Sequence, residues 1–379
     1  MNLTLTIITI ISLSIWLFLL TFWGQFWRAN QRLETETKPL ETYPEICAII
    51  PARNEAELLP TTLPSLLKQE YPGKLSVILV NDGSTDKTGE IAQKIGAKVI
   101  EGKPLPSEWT GKLWAMEQGI KNAENPDYFL LTDADIEHDK NNLIQLVTKA
   151  EIENRELVSL MVLLRCESFW EKMLIPAFVF FFQKLYPFPL VNNPNKKIAA
   201  AAGGCILIKR EALTRIGGIK TVSQALIDDC ALANAVKSSN NSSSIWLGLS
   251  QTTRSLRPYP DLKSIWDMVA RTAYTQLNYS PLLLLGTIIG MSLVYLVPPL
   301  ALLLGIILGN KLVIIISLST WLLMTIAYFP TVKLYQISPI FALLLPAIAF
   351  LYNLMTIDSA RKHWQGKGGS WKGRIYPTV

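Results

Sequence analysis

Histidine is nearly absent from this chain of 379 residues, which holds only His138 and His363. Without a Ser/His/Asp grouping or a P-loop lysine, triad hydrolysis and P-loop nucleotide chemistry are excluded. Cysteine is scarce too, and Cys47, Cys166, Cys205 and Cys230 form no Cys-x-x-Cys pair. Their spacing and apolar settings predict buried thiols in a reducing compartment, not a zinc site or a disulfide frame. Charge is also low, at 17% of residues against 50% hydrophobic, which leans toward a membrane association. No internal repeat is present, and "KSSNNSSS" at 237–244 is expected to be a surface loop.

Met1 to Trp27 lacks charged side chains altogether. It has no basic start and no small-residue cleavage site, so it is expected to be an uncleaved anchor in residues 1–27, long enough for the ~30 Å hydrocarbon layer, and not a signal peptide. Three further apolar segments, 281–308, 312–329 and 339–357, suit a C-terminal membrane region of about three helices over 281–357. Pro298, Pro299 and Pro346 are tolerable there if neighbouring helices satisfy the freed backbone groups. Arg28, Arg32 and Lys38 follow the first segment, and the positive-inside rule then places the central domain in the cytoplasm. Arg361, Lys362, Lys367, Lys372 and Arg374 in the basic tail 358–379 ask for the same side, which four spans would deny. One apolar segment is therefore expected to be re-entrant or interfacial. The net charge of +6 flanks apolar segments without a stripe of interleaved aromatics, so anionic lipid rather than nucleic acid is the expected partner.

Between a linker at 28–45 and a juxtamembrane segment at 258–280, residues 46–257 alternate short β-rich runs with helical ones. That alternation predicts an α/β domain with a mostly parallel sheet. "ICAIIPA", "KLSVILVND", "AKVIEG" and "DYFLLTDAD" read as strands. The stretch at 173–191, apolar but broken by Pro176, Pro187 and Pro189, is either a buried core helix or an interfacial segment.

Polar clusters close three of the strands: "PARNE" at 51–55, "NDGSTD" at 81–86 and "TDAD" at 132–135. Each alone fits an ordinary turn, and Asp86 fits a helix N-cap. Ligands in open α/β sheets bind beyond the carboxyl ends of strands, and three clusters in this order have a second meaning. They resemble the inverting family-2 glycosyltransferases of the GT-A (Rossmann-like) fold, whose strands end in Pro-x-x-Asn-Glu, Asn-Asp-Gly-Ser-Thr-Asp and Asp-x-Asp.

The resemblance implies a nucleotide-sugar donor, with a UDP-sugar expected. Pro51, Ala52, Asn54 and Glu55 would frame the nucleoside, Asp82 would accept from uracil, and Asp133 would approach the ribose. Asp135 would bind a divalent metal, Mg2+ or Mn2+, ions that prefer oxygen ligands. Lys112, in "WTGKLWAM", would meet the diphosphate, and a snorkelling surface lysine is the plainer alternative. The acidic pair Asp228 and Asp229 in "ALIDDCALANAV" matches the family's catalytic position, with Asp229 as base; the family more often has Glu-Asp there. A first turn favourable to the helix dipole is the competing explanation of that pair. The Gly203-Gly204 turn and the Gly217-Gly218 helix end match the family's acceptor segment. His138, three residues after Asp135, is expected to be a polar surface residue rather than a further metal or phosphate partner.

The Gln-x-x-Arg-Trp motif of processive members is missing, which argues against a polysaccharide-extruding synthase. Arg271 stands in the arginine's place and is the last donor-binding candidate. "RTAYTQLNYSPLL", "EWTGKLWAM" and "GKGGSWKGRIYP" resemble the hopanoid-associated branch of the family. That branch implies a lipid acceptor. Two other readings remain: a polyisoprenyl-phosphate sugar synthase and a non-catalytic membrane scaffold of the same fold.

Overall fold

The computed structural model describes residues 2–34, 38–240, 244–367, 370–371 and 374–375. Lys372, the middle of the serine-rich run and much of the "GKGGSWKGRIYP" tail lie outside the described residues. The chain opens with helix α1 (Asn2–Thr21) and continues through β1 (Ile46–Ala52), α2 (Leu59–Leu67), β2 (Leu75–Asn81), α3 (Thr88–Ile95), β3 (Lys98–Glu101), α4 (Gly111–Lys121), β4 (Tyr128–Thr132) and β5 (Ile136–Glu137). Next come α5 (Asn142–Ile152), β6 (Leu157–Leu163), α6 (Phe169–Leu185), α7 (Phe188–Val191), β7 (Cys205–Lys209), α8 (Arg210–Arg215), α9 (Asp228–Ser238) and β8 (Ile245–Ser255). Then α10 (Leu262–Ala270), α11 (Pro281–Met291), a π turn at Ser292–Leu296, α12 (Val297–Ile307), α13 (Lys311–Leu334), α14 (Ile340–Leu343) and α15 (Leu345–Trp364) complete it.

Strands β1 to β8 form one sheet in the order β3-β2-β1-β4-β7-β6-β8-β5, and β9 (Ser370–Trp371) and β10 (Arg374–Ile375) pair in a separate two-stranded one. β3, β2, β1 and β4 run parallel. β7 is antiparallel to both β4 and β6, and β5 to β8, while β6 and β8 are parallel, so the sheet is mixed. All seven residues of β1 are buried, as expected of a strand covered on both faces. Its side chains alternate between two cores: Cys47 and Ile49 belong to one, and Ile46, Ala48, Ile50 and Ala52 to the other. Gly119 lets α4 lie directly on β1, because a Cβ there would come within 2.5 Å of Ile49 Cγ2.

The core that holds Ile49 continues through Leu174, Ile175 and Phe180 of α6 into Tyr328 of α13 and Ile348 of α15. Helix α6 is therefore packed between sheet and bundle. It begins with a capping box, Ser168 Oγ accepting from Glu171 N at 3.1 Å while Glu171 Oε2 accepts from Ser168 N at 2.8 Å. Of the four cysteines, all free, Cys47, Cys205 and Cys230 are buried.

Among the described residues, three helices are long and apolar enough to cross a membrane: Leu3–Thr21, Pro281–Ile307 and Lys311–Leu334. In the second, Pro298 and Pro299 have no N–H to give to the preceding turn. The Val294 carbonyl, four residues before Pro298, instead accepts the Trp16 indole N–H at 2.9 Å, and Leu293 O accepts from Ser12 at 2.8 Å. The apolar segment 339–357 differs from the expected span. It breaks into α14 and α15 near Pro346, and α15 runs on into the charged turn Asp358–His363. The serine-rich run also starts later than expected, because α9 extends to Ser238 and Lys237 is buried with its ammonium on Ile198 O at 2.8 Å.

Candidate active site

The carboxyl ends of β1 and β2 are tied to each other before any ligand arrives. Asp82 N donates to Ala52 O at 2.8 Å, extending the ladder past Pro51. Asn54 turns the chain in the left-handed region at φ +54°, which asparagine tolerates. Its side chain accepts from Thr85 N at 2.8 Å, and its own N–H donates to Ser84 Oγ at 3.0 Å. Asp86 accepts from Ala56 N at 3.1 Å and Thr88 N at 3.0 Å, so it clamps the two loops; the N-cap position of α3 expected of it is taken by Lys87. Arg53 Nη1 donates to Asp82 O at 2.6 Å. Asp82 itself is buried, at the floor of this cleft.

At the end of β4 the two acids separate. Asp133 receives the Lys112 ammonium at 2.8 Å. Asp135 is buried, takes the Ser255 hydroxyl on Oδ2, and lies 3.3 Å from Arg257 Nη2 on Oδ1. The same Arg257 nitrogen donates to Glu55 Oε1 at 2.7 Å, so one guanidinium joins the first strand-end cluster to the third. Burial opposes the charge on Arg257, but Asp135 and Glu55 outweigh it and hold the guanidinium firmly protonated.

Asp228 and Asp229 open α9 on the other side of Lys112. The ammonium is 3.8 Å from Asp228 Oδ2 and is not a surface lysine, with only 16% of its side chain exposed. Burial works against its charge, yet Asp133, Asp228 and Asp229 together raise its pKa. Asp229 Oδ2 accepts the Gly203 N–H at 2.9 Å and Oδ1 accepts from Cys230 N at 2.7 Å. Gly203 has to be small, because a Cβ would stand 3.0 Å from Lys112 Nζ and 3.4 Å from Asp229 Oδ2. Burial first, and then the like charge of Asp228, push the Asp229 carboxyl up to about 6, against the pull of Lys112 and the two backbone donors. Burial likewise raises Asp133, despite Lys112.

Two expectations change. His138 is buried rather than a surface residue: Thr132 Oγ1 lies 3.0 Å from Nε2, and Asn142 Nδ2 lies 3.0 Å from Nδ1. Burial lowers its pKa to about 4, so it is a neutral brace behind β4. Arg271 ends α10 with an exposed side chain, and no hydrogen bond or ion pair of that side chain is seen among the described residues. Its link to the site runs through Tyr259, whose hydroxyl is raised by burial and feels Arg257, Asp135, Arg271 and Asp133 in turn.

Arg257, Ser255 and Tyr259 escaped sequence reasoning, since Arg257 reaches Glu55 across 202 residues. The run of Arg254 and Arg257 at the end of β8 was the available signal. Tyr186 also escaped notice. Its ring feels Cys230 and Asp229, and its hydroxyl accepts from Gln276 Nε2 at 2.7 Å.

Asp133 and Asp135 carry the oxygen donors that a hard divalent cation prefers, but Lys112 and Arg257 engage them here, and among the described residues no three His, Cys, Asp or Glu side chains gather around a metal position. The sheet order is that of a GT-A-like fold. Residues 47–217 match the model of glycosyl transferase family 2. A curated relative, 4,4'-diaponeurosporenoate glycosyltransferase of Staphylococcus aureus (strain N315), is 27% identical over 213 residues, 55% of this chain and 56% of that protein. The chain thus spans just over half the length of the curated relatives it matches. The solved structure of a mannosyltransferase from Pyrobaculum calidifontis, in complex with GDP-Man and Mn2+, shares the fold at a TM-score of 0.56 and 16% identity, covering 93% of this chain and 99% of that one.

Proposed function

We propose that the protein is an inverting glycosyltransferase that moves a sugar from a UDP-sugar to the hydroxyl of a membrane lipid. One observation carries this reading: the Asp229 carboxylate, held by Gly203 N–H at 2.9 Å, shares the Lys112 ammonium with Asp133. Acceptor base and donor side are thereby set against each other across one cation.

Asp229, near pKa 6, is ionised at neutral pH yet basic enough to take a proton. As the acceptor hydroxyl forms its bond to the anomeric carbon, its proton passes to Asp229. The bond from that carbon to the diphosphate breaks in line, and the electron pair leaves with the diphosphate, so the anomeric centre inverts. Lys112 stands where a cation can balance the charge that develops on the departing phosphates. Asp82, Glu55 and the loop fixed by Asn54 frame the nucleoside, and Arg257 keeps Glu55 and Asp135 in register. Asp135, with Asp133, would hold Mg2+ or Mn2+, which when bound neutralises the diphosphate. The P. calidifontis neighbour, determined with Mn2+ and GDP-Man, supports that choice of group.

The acceptor is read as a lipid because the core that includes Cys230, beside Asp229, runs through α6 into the membrane helices, and Tyr186, bonded by Gln276, is near enough to feel Asp229. The staphylococcal relative, named for 4,4'-diaponeurosporenoate, is in keeping with an apolar acceptor, and the hopanoid-associated motifs narrow the expectation to a polycyclic membrane lipid. With three spans, Arg28, Arg32 and Lys38 after α1 and Arg361, Lys362 and Lys367 after α13 fall on one side, the cytoplasmic one. The conflict that four spans raised is then gone.

The test is to incubate detergent-solubilised protein with UDP- and GDP-sugars and a total membrane lipid extract, with and without Mn2+. The expected product in the mass spectrum is a lipid heavier by one sugar, formed from a UDP-sugar. No sugar-bearing lipid with any donor would sink the reading.

A further inference from the structure

A cavity of about 760 Å3 opens away from the acidic site, at the end of α13 and beside the loop that follows α1. Arg28, Arg32 and Lys333 line it, together with Phe329, Val332 and Ile337, and among the described residues no acidic side chain is part of its wall. Among the described residues none of these three cations makes an ion pair, although many others on this chain do. Arg28 lies over the Trp27 ring, 5.2 Å from its centroid. Arg32 is oriented by Nε donating to Ala29 O at 2.9 Å and Nη1 to Gln251 at 2.7 Å, which leaves further N–H groups of its guanidinium fork to offer.

The cavity's place along the chain matters as much as its charge. Candidate spans Leu3–Thr21 and Lys311–Leu334 both end beside it, which sets it at the depth of lipid headgroups. Phe329 and Val332 lie on the last turns of α13 with Lys333 beside them, Ile337 lies just beyond, and Arg28 and Arg32 stand on the loop after α1, so cations and apolar side chains share the wall. A volume of this size holds a phosphate with its glycerol and the first methylenes of a chain, not a whole lipid.

We propose that this cavity binds the phosphate headgroup of an anionic phospholipid from the leaflet that faces the domain. Three uncompensated cations around one phosphate supply the attraction, the arginine fork supplies the geometry, and Phe329 and Ile337 take the start of the acyl chain. Strand β8, next to the edge strand β5, carries Gln251 at the cavity and Ser255 on Asp135, so the bound lipid fixes the strand that also holds the metal-side carboxylate.

Lipid retention tests this independently of any transfer reaction. Full-length protein in mild detergent is titrated with palmitoyl-oleoyl phosphatidylglycerol, and the one-to-one adduct is followed by native mass spectrometry. Phosphatidylglycerol is expected to bind at least tenfold more tightly than phosphatidylcholine, and millimolar inorganic phosphate is expected not to displace it. The triple variant Arg28→Gln, Arg32→Gln, Lys333→Gln is expected to lose about tenfold or more in occupancy, while Arg28→Lys with Arg32→Lys keeps most of it. Equal retention of phosphatidylcholine by the unaltered protein overturns the proposal with no variant needed. Displacement by inorganic phosphate overturns it in favour of a free-phosphate site, and so does a folded triple variant that retains phosphatidylglycerol normally.

Discussion

The two acidic pairs of the site, Asp133 with Asp135 and Asp228 with Asp229, are alike in sequence and opposite in circumstance. Asp135 is gripped by Ser255 and Arg257, and Asp133 by Lys112 at 2.8 Å, so each acid of the first pair has a cation in close contact. Asp229 has only backbone N–H donors close at hand and shares Lys112 at longer range, and burial raises it to about 6. Carboxylates braced by cations suit a donor held in place. A carboxylate left proton-hungry suits a base.

The sharpest break of that comparison is Asp229→Asn. Turnover is expected to fall on the order of a thousandfold with donor affinity little changed, measured by transfer assay beside nucleotide-sugar titration. Unchanged turnover would move the balance to the sugar-phosphate synthase reading, in which the acceptor needs no strong base. Asp135→Ala is expected to fail in the opposite way, losing donor binding in Mn2+ along with roughly a hundredfold or more in rate. If instead it kept donor affinity and lost only rate, the division of labour between the pairs would be wrong.

Arg257→Gln probes the brace. It leaves Glu55 buried without its cation and is expected to cost on the order of 2 kcal/mol, at the low end for such pairs because Arg257 is itself 31% exposed. Thermal unfolding in detergent reads this. The pH profile comes next: kcat/KM is expected to fall below about pH 6 as Asp229 takes up its proton. Because Asp228 adds to the upward push on Asp229, Asp228→Asn should move that acid limb to lower pH by up to about one unit. An unmoved limb would detach the titration from Asp229. The smallest effect is Asp86→Ala, which unclamps the first two loops at a cost of about 1 kcal/mol, seen in stability and not in the pH limb.

Sequence reading worked best where chemistry and chain order coincide. Asn54, Glu55 and Asp82 stand just beyond the ends of the adjacent parallel strands β1 and β2, and strand-end polarity is written in short runs that a single pass can find. It failed where partners come from afar. Arg257, just past the end of β8, serves Glu55 and Asp135, and nothing near either acid in the chain announces it. His138 was misjudged for the same reason: its neighbours Glu137 and Asp139 are polar, but β4 and α5 close over the ring. The segment 339–357 has an apolar length fit for a span, and it was the break near Pro346 and the charged turn beyond that decided otherwise.

Sequence alone determined which side chains this protein has for the work: the three strand-end clusters, the acidic pair on α9, and the charge-free first segment. These are local properties, set by residue type and by the periods of strand and helix. Tertiary structure decided which acids are neutralised and which are left basic. That depends on where Lys112 and Arg257 arrive and on how much water burial removes, and charge interactions over 3 to 4 Å between residues hundreds of positions apart exist only once the sheet and the membrane helices have closed on each other.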